Sequence, residues 1–177
     1  MRVMLILAAA ALATAARAEV VDAQANGFEV KETQHVAAPP DRVFAALAEI
    51  GRWWDSAHTY SGDASKLSLE PKAGGCFCEA LKDGGSVAHM RVVYAAPGKA
   101  LRLEGALGPL QSLGAAGHLD FELTPKDGGT DIVATYDVGG YAKGGLAVWA
   151  GPVDHVLGRQ VARLKAFVET GRPAIVR

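Results

Sequence analysis

Along the chain, apolar and polar residues alternate with two different periods. From Gly27 to Val36 (GFEVKETQHV) the period is two, which predicts a strand with one face turned inward. After Ala37 to Pro40 the period changes. From Asp41 the apolar positions Val43, Phe44, Leu47 and Ile50 recur at helical spacing, with Gly51 as breaker before Trp53 and Trp54. The helical period returns at the far end, from Gly151 to Thr170, where Val153, Val156, Leu157, Val161, Leu164, Phe167 and Val168 form one stripe. Pro152 suits the first turn of that helix, Asp154 complements its positive end, and Gly171 followed by Pro173 stops it. At 1.5 Å per residue such a helix spans roughly 28 Å, enough to cross a small sheet. Between the helices lie six further strand-like runs: 66–69, 76–81, 87–95, 100–106, 118–124 and 131–138. Turns rich in Gly, Pro, Asp and Lys separate them. The order strand, helix, six strands, long helix predicts an α+β fold, with helices on one face of a curved antiparallel sheet of seven strands.

Strand alternation assigns faces. Leu101 and Leu103, then Leu119, Phe121 and Leu123, then Ile132, Ala134, Tyr136 and Val138 are expected to look toward the long helix. Arg102, Glu104, Asp120, Glu122 and Asp131 then face water. The 76–94 hairpin allows two registers. A three-residue loop sets Glu79 opposite His89 and Phe77 opposite Arg91; a four-residue loop sets Cys78 opposite His89 and Cys76 opposite Arg91. Two connections are longer than hairpins need, 107–117 (LGPLQSLGAAG) and 139–145 (GGYAKGG). Each reads either as a ligand-gating loop or as a plain self-packed connection.

Composition, at 50% hydrophobic and 21% charged over 177 residues, fits one globular domain. Arg2 precedes an apolar run from Val3 to Ala13, and Ala16-Arg17-Ala18 has the form of a signal-peptidase site, so residues 1–18 are expected to be a cleaved leader. The run is shorter than the roughly 20 residues that cross a bilayer. The expected product is an exported, periplasmic protein with a flexible lead over 19–26, a domain over 27–171 and a tail over 172–177. No transmembrane segment remains after cleavage. Without Arg2 and Arg17 the chain carries 16 basic against 19 acidic residues, net −3, with no basic stripe, which excludes nucleic acid as an expected partner. Cys76 and Cys78 stand two apart. On a straight strand their side chains do not converge, so two buried free thiols are favoured over a bond that needs a kinked backbone.

The element order, the segment APPDRVFAAL opening the first helix, the Trp53-Trp54 pair, Gly74-Gly75-Cys76-Phe77-Cys78-Glu79 entering a strand, and Val153 to Phe167 closing the chain together resemble the SRPBCC superfamily. This is the helix-grip fold of START lipid-transfer domains, the birch pollen allergen, polyketide cyclases and activators of the heat-shock ATPase. The resemblance runs from Gly27 to about Gly171. It implies a cavity between the concave sheet face and the long helix, suited to a hydrophobic or amphipathic small molecule.

The residues expected around that cavity are Trp53, Trp54, His58, Tyr60, Cys78, Glu79, His89, Arg91, Leu103, Phe121, Tyr136, Tyr141, Trp149, Val153 and Leu157. One tryptophan of the pair is expected in the core and the other at a rim. In the first hairpin register Glu79 and His89 are candidates for general acid–base work. In the second, two thiols and an imidazole offer soft-metal ligands if His58 completes the set. Cys-x-Cys with scattered histidines is far from a zinc pattern, so no metal and no cofactor are expected. His35, His118 and His155 read as surface or capping residues. Ser56, Ser61, Ser65 and Ser112 lack a nucleophile context. The leading expectation is an exported carrier of a lipid, polyketide-like or aromatic molecule, monomeric or weakly dimeric. The alternative is a cyclase or hydratase using Glu79 or His89. A co-chaperone role is set aside because the ATPase it serves is cytoplasmic.

Overall fold

The computed structural model describes residues 17–174. The elements run β1 (Arg17–Gln24), β2 (Gly27–Val36), α1 (Pro40–Ala48), α2 (Ile50–Trp53), β3 (Leu67–Leu69), β4 (Cys76–Ala80), β5 (Ser86–Ala96), β6 (Ala100–Gly105), β7 (Gly114–Lys126), β8 (Gly129–Tyr141) and α3 (Ala150–Thr170). All eight strands pair antiparallel in the order β1-β2-β8-β7-β6-β5-β4-β3. This is the expected helix-grip architecture with one strand more than the predicted seven. The extra strand corrects the flexible lead expected over 19–26, since β1 pairs with β2 from Arg17↔Thr33 to Gln24↔Gly27 and satisfies its backbone there. Its residues from Glu19 onward are exposed, so no buried stripe marks it in the sequence. The leader expected over 1–18 lies outside the described residues up to position 16, as does the end of the tail from position 175. No described helix is long and apolar enough to cross a membrane.

The predicted inward faces of β6, β7 and β8 are buried, and the outward Arg102, Glu104 and Glu122 are exposed. β2 departs from simple patterning. Phe28, Val30 and Val36 point inward as expected, but so do Glu32 and Gln34, both buried. α3 lays Leu157, Val161, Leu164, Phe167 and Val168 onto this surface. Five such side chains contribute on the order of 10 kcal/mol of burial before entropy is counted. Polar ties fix its position: Arg163 donates to the Trp53 and Trp54 carbonyls, Arg42 to the Val168 carbonyl, and Glu169 accepts from the Ala37 N–H. The helix ends where expected. Gly171 takes φ 76°, and its N–H closes on the Phe167 carbonyl.

Two loop expectations change. β8 continues to Tyr141, so the first three residues of the 139–145 connection are strand. The 107–117 connection holds a short 3-10 turn over Gly108–Ser112, pinned by buried Leu110.

Candidate functional site

Toward the N-terminal end of α3 its apolar stripe is only partly covered. Val153 and Val156 belong to its apolar stripe yet stay only half-buried. The space beneath them is a cavity of about 660 Å³. Its walls come from α3 (Pro152, Val153, Val156, Leu157), the segment 54–60, the 107–112 turn, and Phe77, His89 and Tyr136 from the sheet, with Trp149 at the helix start. No Lys, Arg, Asp or Glu among the described residues lines it.

The tryptophan pair splits between core and cavity wall, and neither ring lies at the expected rim. Trp53 is core, 1% exposed, and its Nε1 donates to the Ala46 carbonyl. Trp54 enters the cavity wall, its ring edge-on to Phe77 at 5.5 Å, and its Nε1 donates to the His58 carbonyl. That bond helps hold the 55–60 segment over the cavity. Tyr60 reaches across the mouth, where its hydroxyl donates to the Gly108 carbonyl and links the two rim segments. On the opposite wall the Tyr136 hydroxyl accepts from the Leu107 N–H and donates to the Gly105 carbonyl. Burial pushes its phenol up to about 12, so it stays neutral.

Two histidines supply the polar points, and their protonation follows from their partners. Gln160 accepts the Asp55 N–H through Oε1, so its amide nitrogen donates to Nδ1 of His58 at 2.9 Å. His58 therefore carries its proton on Nε2. Burial holds its pKa below the ordinary value despite nearby Asp55, with Arg159, His155 and Arg163 adding to the effect. His89 contacts Glu79 Oε2 through Nε2 at 2.9 Å. Glu79 also accepts the backbone N–H groups of Tyr60 and Ser61. Burial opposes its ionisation, but those bonds with that of His89 outweigh it and keep the carboxyl below its ordinary value. Burial likewise depresses His89, more than the carboxylate raises it. At neutral pH the pair is a Glu79 anion accepting from Nε2–H of a neutral imidazole. Nδ1 is left as an acceptor without a protein partner among the described residues.

Neither predicted hairpin register is realised whole. Cys76 pairs with Arg91 and Phe77 with Met90, but Cys78 pairs with Ala88 and Glu79 with Val87, so His89 is an extra residue in β5. This bulge lets both His89 and Met90 point inward. It also aims His89 at Glu79 while leaving Arg91 outside. The free-thiol expectation is corrected at the same place: Cys76 and Cys78 form a disulfide with Cα atoms 5.4 Å apart. A straight strand would hold them about 6.6 Å apart, and the pairing shift at Phe77/Cys78 supplies the bend that a bond requires. Bonded to each other and half-buried on the outer face, the sulfurs cannot form the thiol–imidazole set. No three His, Cys, Asp or Glu side chains among the described residues converge for a metal.

Of the expected cavity residues, the structure brings together Trp54, His58, Tyr60, His89, Tyr136, Trp149, Val153 and Leu157. Glu79 stands behind His89 rather than in the wall. Trp53, Leu103 and Phe121 are core. Cys78 faces away, Arg91 lines a separate groove with Cys76 and Glu104, and Tyr141 is 73% exposed at the end of β8. Phe77, Leu107, Pro109, Leu110 and Val156 were not foreseen. The bulge hid Phe77; Val156 was legible from its place in the stripe beside Val153 and Leu157.

Solved structures share this fold at low identity. A conserved protein of unknown function from Enterococcus faecalis is 15% identical with a TM-score of 0.63, covering 92% of this chain and 82% of its own. CalU16 from Micromonospora echinospora is 16% identical with a TM-score of 0.57, covering 92% and 88%. The Aha1 dimer from Colwellia psychrerythraea is 16% identical with a TM-score of 0.58, covering 81% and 97%. No curated protein matches the sequence. With the helix over the sheet and an apolar cavity beneath it, and with residues 27–169 matching the family described as polyketide cyclase / dehydrase and lipid transport, the chain belongs to that family, within the SRPBCC superfamily.

Proposed function

We propose that this protein is an exported carrier for an uncharged, largely apolar small molecule with a flat or aromatic portion and one hydroxyl or carbonyl group. The observation that carries the reading is the cavity of about 660 Å³, whose lining holds Trp54, Tyr60, Phe77 and Trp149 and, among the described residues, no charged side chain. That volume lies within the range of sites that enclose drug-sized ligands. A carboxylate or phosphate ligand would lose its hydration there and meet no cation. Nε2–H of His58 and Nδ1 of His89 supply one donor and one acceptor, which suits a neutral polar handle.

Titration of the protein's tryptophan fluorescence with 2-naphthol, naphthalene and 2-naphthoate tests this. Saturable binding of the first two, with naphthoate weaker than both, is expected; flat titrations for all three would sink the proposal. Native mass spectra of gently purified protein should show an adduct of a neutral compound.

A second reading, of acid–base catalysis, is favoured by the Glu79–His89 bond. Glu79 fixes the imidazole, and His89 Nδ1 would take a proton from a bound substrate. Accelerated α-deuteration of 2-tetralone in D2O by the wild type, absent in His89→Asn, would support it; equal rates for both would rule it out.

A further inference from the structure

Away from the cavity, the inner face of β2 carries a carboxylate that nothing in the fold explains. Glu32 is 1% exposed, and its Oε1 is buried without a hydrogen-bond partner among the described residues. Space for it is made in α3 by Gly158, where an added Cβ would lie 2.8 Å from that oxygen. One turn earlier on the helix stands Asp154, whose Oδ1 is also buried and unpartnered. Two acids to which no described residue brings a paired cation are costly in such a place. Burial, then Asp154, pushes the Glu32 carboxyl up to about 7, and burial raises Asp154 as well.

The missing cation has a source in the chain itself. Across the ladder from Glu32 stands Ala18, about 5 Å away at strand spacing. The backbone N–H of the next residue, Glu19, comes up to the Asp154 carboxylate. The sequence Ala16-Arg17-Ala18 places a signal-peptidase cut at that same peptide bond. We propose that processing between Ala18 and Glu19 creates an α-ammonium that the Glu32 and Asp154 carboxylates receive. A signal peptidase adds one water across the Ala18–Glu19 amide. The C–N bond breaks, the leader leaves with a carboxylate on Ala18, and the new amine takes up a proton. An amide N–H facing the Asp154 carboxylate, one residue along the strand from the partner of Glu32, becomes a full positive charge in the same position, able to donate three hydrogen bonds. The other charged groups nearby are Lys31, opposite Glu19 in the ladder, and His155 and Arg159 on α3; Arg159 is already committed to Asp55. The processed terminus thereby ties the edge strand β1 to the helix that roofs the cavity.

The test uses the processed protein recovered after export, its α-amine-acetylated form, and both with Glu32→Gln. Intact mass should place the first residue at Glu19; a start elsewhere overturns the proposal. The free-amine form should melt roughly 3–6 °C above the acetylated form at pH 7. Glu32→Gln should lower the melting temperature of the free-amine form and raise or leave unchanged that of the acetylated form, where it removes an orphan charge. Equal melting of the two forms, or the same shift from Glu32→Gln in both, would show that the acids do not hold the terminus.

Discussion

Replacing Glu79 with Gln tests whether the buried carboxylate is the joint between the rim segment and the sheet. Glu79 accepts from Tyr60 N–H at 3.1 Å, Ser61 N–H at 2.5 Å and His89 at 2.9 Å. A glutamine keeps the shape but has one acceptor oxygen, which serves two donors at most, and its NH2 group faces the third. Bonds to a charged acceptor contribute about 1.5–3 kcal/mol each and neutral ones about 0.5–1.5. Two bonds weakened and one lost amount to roughly 3–5 kcal/mol, reduced to about 2–4 by relief from burying a charge. For a domain of this size that lowers the melting temperature by roughly 5–15 °C. The pH dependence adds a sign. Because the native carboxyl titrates below its ordinary 4.5, the folded state binds fewer protons than the unfolded one. The stabilisation is therefore complete above about pH 4.5 and is lost as the pH falls through the lowered native value. Melting followed by circular dichroism at pH 7, 5, 4 and 3.5 should show wild type and variant converging at the acid end. A gap below 2 °C at pH 7, or one that does not narrow in acid, would refute the role given to Glu79.

Leu157→Trp should fill the cavity and weaken 2-naphthol binding more than tenfold, with the melting temperature within a few degrees of wild type; undiminished binding would place the ligand elsewhere. Tyr136→Phe removes the hydroxyl that joins Leu107 and Gly105 and should cost about 1–2 kcal/mol in a denaturant melt. Replacing Cys76 and Cys78 together with Ser opens a very short loop, so chain entropy predicts a loss of only about 1.5 kcal/mol with the fold intact. In protein whose α-amine is blocked, the raised Glu32 carboxyl makes the folded state bind more protons, so stability should fall as the pH rises from about 4.5 to about 7. Glu32→Gln should flatten that slope.

The helices, the interior strands and the cavity's helix wall were legible because they obey simple periods. The stripe from Val153 to Val168 and the alternation along 100–138 each require one buried face, and only one arrangement of that face satisfies them. β1 was invisible because it sits exposed at the sheet edge, held by backbone bonds that leave no side-chain pattern. The hairpin of β4 and β5 was beyond reach for a related reason. A single extra residue at His89 breaks the period of two, and that break joins His89 to Glu79, turns Arg91 outward and brings the two cysteines within bonding distance. The inward Glu32 was equally unreadable, since a Glu in an alternating strand is expected to face water until the helix opposite is known to carry glycine there.

From the amino acids alone came the elements and their buried faces, because those follow from periodic burial within each element, while the cavity and part of its wall were expected only through the resemblance to the SRPBCC superfamily. Which histidine nitrogen offers a proton, which sulfurs are bonded and which acids are buried against each other were decided only in three dimensions. Those properties depend on groups distant in sequence, and local pattern carries no information about who meets whom.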